Sequence, residues 1–188
     1  MAVDQQKEEA KLVSELQDPK LAHQAFDRMM RMYGEQVYWQ IRKMVINHDD
    51  ANDLLQNTFL KAWNNLCHFR GDAKLSTWLY KIAVNESINF LNKERKNRAQ
   101  QVDGDEENDS FLLRNLQADE YFDGDDLKLE LQKAIASLPE KQRLVFNMRY
   151  FDDMKYEQIS EILGTSVGAL KANYHHAVKK IEEYITAL

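Results

Sequence analysis

The stretch KYEQISEILGTSVGALKANYHHAVKKIEEYI, residues 155–185, decides the fold of the C-terminal third of this chain. Apolar side chains recur at helical spacing on both sides of Gly164, which predicts two amphipathic helices, over 155–163 and 166–185. Gly164 favours the left-handed conformation that ends a helix, and Thr165 or Ser166 would cap the next one. Two helices joined by so short a turn have the layout of a helix-turn-helix DNA reader. The predicted buried stripes are Tyr156, Ile159, Ile162 and Leu163 in the first helix and Val167, Leu170, Tyr174, Ala177 and Ile181 in the second.

The outward face of the second helix combines small residues with hydrogen-bond donors. At about 100° per residue, this face consists of Gly168, Lys171, Ala172, His175, His176 and Lys179. Small residues let the helix backbone approach a groove wall, and the longer side chains can donate to base edges. A helical hairpin whose polar side only faces water would show the same pattern. This segment alone therefore leaves DNA binding and simple solvation both open.

Composition predicts an all-α protein of one or two small domains. The chain has 188 residues, 44% of them apolar, with two prolines and six glycines, and its apolar residues recur in long helical periods. A single cysteine, Cys67, excludes a disulfide framework or a Cys-rich zinc site within one chain. Its place at the apolar end of a predicted helix indicates a buried thiol. Because no signal segment or membrane span is visible, we expect a cytoplasmic protein without membrane insertion.

The charges are distributed unevenly along the chain. The net charge is −6, but residues 100–126 contain ten acidic residues and one basic residue, a balance of −9 that leaves +3 for the remainder. Such a segment is typical of a flexible acidic linker. The sequence thus predicts two small helical domains, over 1–98 and 127–188, joined by a linker over 99–126.

Three helices are predicted in the N-terminal domain. The first runs over 21–46 and buries a stripe that consists of Phe26, Met30, Tyr33, Val37, Ile41 and Met44. The second follows at once with Asp50 as its cap, and its inward residues are Leu55, Phe59, Ala62 and Leu66. A loop that contains Gly71 leads to the third, from Thr77 to about Lys96.

Aromatic and cationic side chains alternate around this loop. The aromatic rings are Phe69, Trp78 and Tyr80, the cations are Arg70, Lys74 and Lys81, and Asn85 lies two turns into the third helix as a base-edge reader. Stacking of a base on an aromatic ring contributes ~1–3 kcal/mol, and phosphate contacts add affinity independent of sequence. The combination favours single-stranded DNA as a ligand. The alternative is that Phe69 and Trp78 are core residues of a helix bundle.

Several of these motifs carry a resemblance to a known family. DANDLLQNTFLKAW at 50–63, FRGD at 69–72 and TWLYKIAVN at 77–85 resemble region 2 of the extracytoplasmic-function (ECF) group of bacterial RNA polymerase sigma factors. LPEKQRLVF at 138–146 and the helical pair over 156–181 resemble region 4 of the same group. The resemblance covers nearly the whole chain outside the linker and the first twenty residues.

The resemblance implies partners and site residues. Core RNA polymerase would be bound at the clamp helices of its largest subunit and at its flap, with contacts from Asp53, Gln56, Asn57 and Lys61. The loop over 69–76 is similar to the loop that pockets a flipped base of the promoter minus-ten element, with Phe69, Arg70, Lys74, Ser76, Trp78, Lys81 and Asn85 as contacts. The outward face of the last helix is similar to the reader of the minus-thirty-five element. An anti-sigma factor is a further implied partner; alternatively, the two domains pack together and mask these faces.

The function implied is therefore that of an ECF sigma factor, which binds core polymerase and directs promoter-specific initiation. The alternative is a helix-turn-helix regulator that acts without polymerase. An enzyme built on His48, Asp49 and Asp50, or on His175 and His176, is disfavoured because adjacent residues point to different sides of a helix. With no nucleophile–base pair or phosphate-binding glycine loop visible, we expect no catalytic activity, no cofactor and no metal.

Overall fold

The computed structural model describes residues 2–69, 71, 73–99, 112, 116 and 126–188, and across these ranges the secondary structure is helical without strands. The N-terminal unit contains α1 (Ala2–Leu16), α2 (Ala22–Val45), α3 (His48–Asn64) and α4 (Leu75–Ala99), with a short 3₁₀ turn at Leu66–His68. The all-α prediction is confirmed. Among the helices described, none is both long and apolar enough to cross a membrane.

The start of α3 differs from the prediction that Asp50 caps it. Asn47 is the cap, and its side-chain oxygen accepts a hydrogen bond from the Asp50 backbone N–H at 3.0 Å. Ile46 adopts φ 67°, a sharp corner that lets the chain re-enter a helix two residues after α2 ends. Asp49 and Asp50 consequently lie inside the first turn of α3, where their negative charges interact favourably with the positive end of the helix dipole.

The predicted apolar stripe of α2 faces the core. Phe26, Val37, Ile41 and Met44 are buried, while Met30 and Tyr33 are half-buried. The prediction of a buried thiol is wrong, because Cys67 is exposed. Helix α3 ends at Asn64, and the 3₁₀ turn that follows directs Leu66 inward and Cys67 outward.

The C-terminal unit consists of α5 (Asp126–Ala136), α6 (Glu140–Tyr150), α7 (Tyr156–Leu163) and α8 (Val167–Thr186). Helices α7 and α8 form the predicted helix-turn-helix. Gly164 has φ 62°, in the left-handed region, and the Ser166 side chain accepts a hydrogen bond from the Ala169 N–H at 3.4 Å. Of the two candidate caps, Ser166 is therefore the one used.

A buried arginine ties α5 to α6. Arg143 is 2% exposed, and its Nη1 donates to the carbonyls of Ala136 at 3.2 Å and Leu138 at 2.9 Å. These carbonyls lie at the end of α5 and in the turn after it, where a helix leaves its last acceptors without partners in the helix. The guanidinium thus fixes the angle at which α6 leaves α5.

The two units share one apolar core. Helix α4 packs against α2 and α3 on one side and against α7 on another, and α2 also contacts α6. Leu144, Met148 and Ile159 of the C-terminal unit belong to the same buried cluster as the core of α2 to α4. The predicted linker lies mostly outside the described residues. Within 100–125 the structure describes Leu112 and Leu116, and both are buried in this cluster.

A polar contact, which we call the clasp, joins the units beside this core. It consists of Lys43 on α2 and Asn147, Phe151 and Asp152 at the end of α6. The Lys43 ammonium pairs with the Asp152 carboxylate and lies 5.3 Å from the Phe151 ring centroid, and the Asn147 side-chain amide donates to the Lys43 carbonyl at 3.2 Å. Burial raises the pKa of the Asp152 carboxyl, and Lys43 opposes that rise in part.

Candidate nucleic-acid interface

A polar cleft of about 500 Å³ lies between the end of α3 and the exposed side of α4. Asparagines, a histidine and a half-buried tryptophan line it, so it offers amide donors and acceptors beside a planar ring. The lining residues are Lys61, Asn65, His68, Trp78, Ile82, Asn85, Glu86, Ile88 and Asn89. The cleft brings together Lys61, Trp78 and Asn85, which were predicted from the sequence to belong to two different sites. Asn65, His68 and Asn89 were not predicted, because no local pattern signals that α3 and α4 meet there.

Phe69 and Trp78 form the apolar support of the cleft. Their ring centroids are 4.9 Å apart. Phe69 is 6% exposed, so the prediction that it presents an exposed face for stacking is wrong. Its ring packs against that of Trp78. Trp78 is half-buried and keeps part of its face on the cleft. The core alternative is thus correct for Phe69.

The other predicted residues around the cleft differ in their surroundings. Asn85, Lys74 and Lys81 are exposed, Ser76 is half-buried, and Arg70 lies outside the described residues. Lys61 forms an ion pair with Glu86 of α4. This pair turns Lys61 towards the cleft and away from Gln56, although both had been predicted to contact the same partner.

An apolar groove of about 470 Å³ runs between α2 and α3 on a different surface. Its residues are Phe26, Met30, Gly34, Leu55, Gln56, Phe59, Leu60 and Trp63. Leu60 is 60% exposed at its edge, and Asp53 and Asn57 stand exposed on the same helix. Leu55, predicted to face the core, is half-buried because it lines this groove. Such a groove with a polar rim suits the apolar face of a partner helix.

The outward face of α8 is exposed at all six predicted positions: Gly168, Lys171, Ala172, His175, His176 and Lys179. The Lys171 ammonium lies 5.8 Å from the Tyr156 ring centroid on α7, and Lys179 pairs with Glu183 at 3.7 Å on the helix surface. Both contacts are solvent-exposed and weak. The lysines can therefore turn towards a ligand at little cost.

Packing of the two units does not cover the predicted faces. Asp53, Gln56 and Asn57 on α3, Asn85 on α4 and the whole outward face of α8 remain exposed while α4 contacts α7. The alternative that the units mask each other's faces is therefore not what the described residues show. Among those residues, no group of three His, Cys, Asp or Glu side chains is placed to hold a metal ion.

Comparison with known proteins identifies the class of protein that carries this arrangement. The family model for sigma-70 region 2 matches residues 29–97, which cover most of α2, all of α3 and nearly all of α4, and include the cleft and all of the groove except Phe26. The model for sigma-70 region 4 matches residues 128–181, which include α7, the turn and most of α8. The two regions occur in one chain and in the order expected from the sequence.

Comparison with curated relatives shows which group of sigma factors the chain resembles. The chain is 32% identical over 142 residues to RNA polymerase sigma factor SigV of Bacillus subtilis, covering 76% of this chain and 80% of that protein. It is 30% identical over 169 residues to the ECF RNA polymerase sigma-E factor of Salmonella typhimurium, covering 87% and 88%. The chain belongs to the ECF sigma factors, the transcription initiation factors that bind core RNA polymerase and direct it to promoters. These relatives favour this function over that of a polymerase-independent regulator.

The fold agrees with that of a solved sigma factor. The chain matches the sigma factor RpoE in its co-crystal structure with the anti-sigma factor NepR from Bartonella quintana, with a TM-score of 0.64 and 22% identity. The match covers 86% of this chain and 96% of the other. At this identity the likeness supports the two-unit fold.

Proposed function

We propose that this chain reads a promoter with two separate surfaces, the polar cleft for the minus-ten element and the outward face of α8 for the minus-thirty-five element. The observation that carries the proposal is that both surfaces are exposed and lie on different units. A separation of two helical turns on duplex DNA is roughly 70 Å. The segment over 100–125 can extend to about 90 Å, which is enough for one chain to reach both elements.

At the minus-ten element, Asn85 supplies the base-edge contact. Its amide can donate and accept at once, and Trp78 offers a ring on which an unstacked base can rest. Lys74 and Lys81 lie close in sequence to the cleft and supply charge for the phosphates. Lys61 contributes through its pair with Glu86, which fixes one wall of the cleft.

At the minus-thirty-five element, Gly168 and Ala172 allow close approach of α8, and Lys171 and His175 donate to base edges or phosphates. His176 and Lys179 continue the same face towards the end of the helix. This is the groove-entering geometry of a recognition helix.

For core polymerase, the apolar groove is the docking site, with Asp53, Gln56 and Asn57 as its polar rim. The clamp helices of the largest subunit present a helical partner that such a groove fits. The polymerase flap would contact the C-terminal unit. Leu60 is the expected energetic centre, since an exposed leucine beside a groove loses water on binding.

The experiment that tests the polymerase site measures the affinity for core by fluorescence anisotropy. Leu60→Asp should weaken core binding at least tenfold. The matched control is Met32→Asp, which places the same charge at a 40% exposed apolar position outside the groove. Equal affinities for Leu60→Asp, Met32→Asp and the unaltered chain would refute the site.

The promoter surfaces are tested by transcription from templates altered in one element at a time. Asn85→Ala should change preference at the minus-ten element, and Lys171→Ala should change it at the minus-thirty-five element. If both substitutions shift preference at the same element, the assignment of one element to each unit is wrong.

Three further parts of the proposal concern cell biology and regulation. The protein acts in the cytoplasm, where core polymerase is, and initiates transcription without catalysing a reaction of its own. An anti-sigma factor would hold it inactive, and the complex of RpoE with NepR is the precedent among similar folds. This regulation would be contradicted if the purified protein were fully active with core polymerase and no inhibitory protein were found bound to the chain in its host.

A further inference from the structure

Helix α1 lies outside the matched region 2, which begins at residue 29, yet it is firmly attached to the N-terminal unit. Leu12 and Leu16 are each 3% exposed and belong to the shared core. Glu15 pairs with Arg28 of α2. Apolar and ionic contacts together fix the position of α1 on α2. This helix was not predicted from the sequence.

Two polar side chains from this part of the chain hold the two ends of the loop over 69–75. The Gln17 side-chain amide donates to the Phe69 carbonyl at 3.2 Å. The Glu9 carboxylate accepts a hydrogen bond from the Leu75 backbone N–H at 2.7 Å. Leu75 is the first residue of α4, and the first N–H groups of a helix have no partners inside the helix. A carboxylate at that position satisfies one of them and also favours the helix dipole.

The middle of the loop passes close to the same side of α1. Gly71 has φ 77°, and a Cβ atom added there would lie 3.9 Å from Val13 Cγ1. Glu9 and Val13 are four residues apart on one face of α1, and Gln17 is the first residue after the helix ends. The loop is therefore backed by α1 near its start, its middle and its end.

The Glu9 carboxylate is also close to α2. Burial raises the pKa of Tyr33 to about 12, and the negative charges of Glu9 and Glu8 add to the rise. Glu9 thus lies at a junction of α1, α2 and the start of α4. Trp78 lies within the first turn of α4, so a shift of that turn would move a residue that lines the polar cleft.

We infer that α1 and the residue after it form a positioning element for minus-ten recognition, in which Glu9 and Gln17 hold the two ends of the loop over 69–75 and so fix the start of α4, whose Trp78 lines the polar cleft. The inference rests on the minus-ten role proposed above for the polar cleft. It assigns sequence preference in part to residues that contact no DNA. Precise placement by a supporting residue is what keeps a recognition site selective.

The test compares Glu9→Ala, Glu9→Gln and Gln17→Ala in the full chain with core polymerase. Transcription is measured on a library of promoters that vary in the minus-ten element, with core affinity and thermal stability measured in parallel. Glu8→Ala is the matched control, because it removes a neighbouring exposed carboxylate that makes no hydrogen bond to the described residues of the loop, 69, 71 and 73–75. Glu9→Ala and Gln17→Ala should alter the ratio between minus-ten variants roughly fivefold to tenfold. Glu9→Gln keeps an acceptor oxygen and should restore most of the original ratio.

The outcomes separate this inference from the proposed function. A uniform loss on all templates with lower thermal stability would mean that α1 is only structural, and unchanged ratios in folded Glu9→Ala and Gln17→Ala would also overturn the inference. Should Glu9→Ala fail to fold, Gln17→Ala decides the matter. Asn85→Ala tests the cleft itself: if it shifts minus-ten preference while the α1 variants do not, the inference fails and the proposed function stands.

Discussion

Removal of the Lys43 side chain should open the contact between the two units of the free protein. The side chains of Lys43 and Asp152 are 24% and 16% exposed. Loss of one partner from a fully buried pair costs about 3–5 kcal/mol and from an exposed pair about 0–1 kcal/mol. For this partly buried pair we expect about 2 kcal/mol, which corresponds to a roughly 30-fold shift from closed to open.

Opening matters because the closed chain is too short for its promoter. A compact chain of this length has a radius of gyration of about 16 Å, whereas the two promoter elements are roughly 70 Å apart. On the proposed reading of one promoter element by each unit, the units separate when the protein works, and the clasp opposes that separation. Lys43→Ala should accordingly bind core polymerase more tightly than the unaltered chain.

The distance between the units can be measured with two spin labels by double electron–electron resonance. Cys67 is exposed on the N-terminal unit and accepts one label. Leu188→Cys, at a position that is 72% exposed, accepts the other. The unaltered chain should give one distance within about 40 Å, and Lys43→Ala should add a broad population at longer distances.

The control is Lys141→Ala, which removes an exposed lysine from α6 without touching the clasp. The exchange of Lys43→Asp with Asp152→Lys should recover part of the closed population, since it restores an ion pair. Identical distance distributions for Lys43→Ala, Lys141→Ala and the unaltered chain would refute the reasoning. The apolar core would then hold the units together by itself.

Three other predictions concern stability and ionisation. Arg143→Met should lower the free energy of unfolding by about 2–4 kcal/mol, because two carbonyls lose a charged donor; a melting temperature equal to that of Lys141→Ala would contradict this. Gly164→Ala should lower the free energy of unfolding by about 1–2 kcal/mol, because Gly164 has a positive φ. Gly168→Ala should instead stabilise α8 by about 0.5–1 kcal/mol and weaken binding to the minus-thirty-five element. Unchanged DNA affinity of Gly168→Ala would show that Gly168 is not part of the DNA-binding surface. Burial, and after it the Asp152 charge, raise the pKa of Tyr80 to about 12. The stabilisation that the neutral Tyr80 hydroxyl contributes is therefore complete below pH 10 and is lost as the pH rises through 12. Asp152→Asn should lower that pKa in an ultraviolet titration and leave Tyr33 unchanged, and an unmoved Tyr80 would show that Asp152 is not close to it in solution.

The local sequence predicts those parts of the fold that depend on local chemistry. The helix-turn-helix follows from apolar spacing and from Gly164, whose conformation few other residues adopt. The outward face of α8 follows from the same projection, and all six of its predicted residues are exposed. In these places the structure is determined by residues within a few helical turns of one another.

The remainder depends on residues that are distant in sequence. Helix α4 begins at Leu75 rather than Thr77 because Glu9 accepts its first N–H from 66 residues away. Phe69 is buried because Trp78 covers it, although both are aromatic residues in a cationic segment. The cleft itself exists only where α3 and α4 meet, so its asparagines carry no signal along the chain.

The shared core ties the two units into one cooperative folding event. Leu144, Met148 and Ile159 complete a cluster begun by α2 to α4, so the N-terminal helices cannot bury that surface until the last third of the chain has been synthesised. A fragment that ends near residue 98 would present the uncovered apolar side of α4 to water and should aggregate more readily than the whole chain. Heat denaturation of the intact protein should then proceed in a single calorimetric transition.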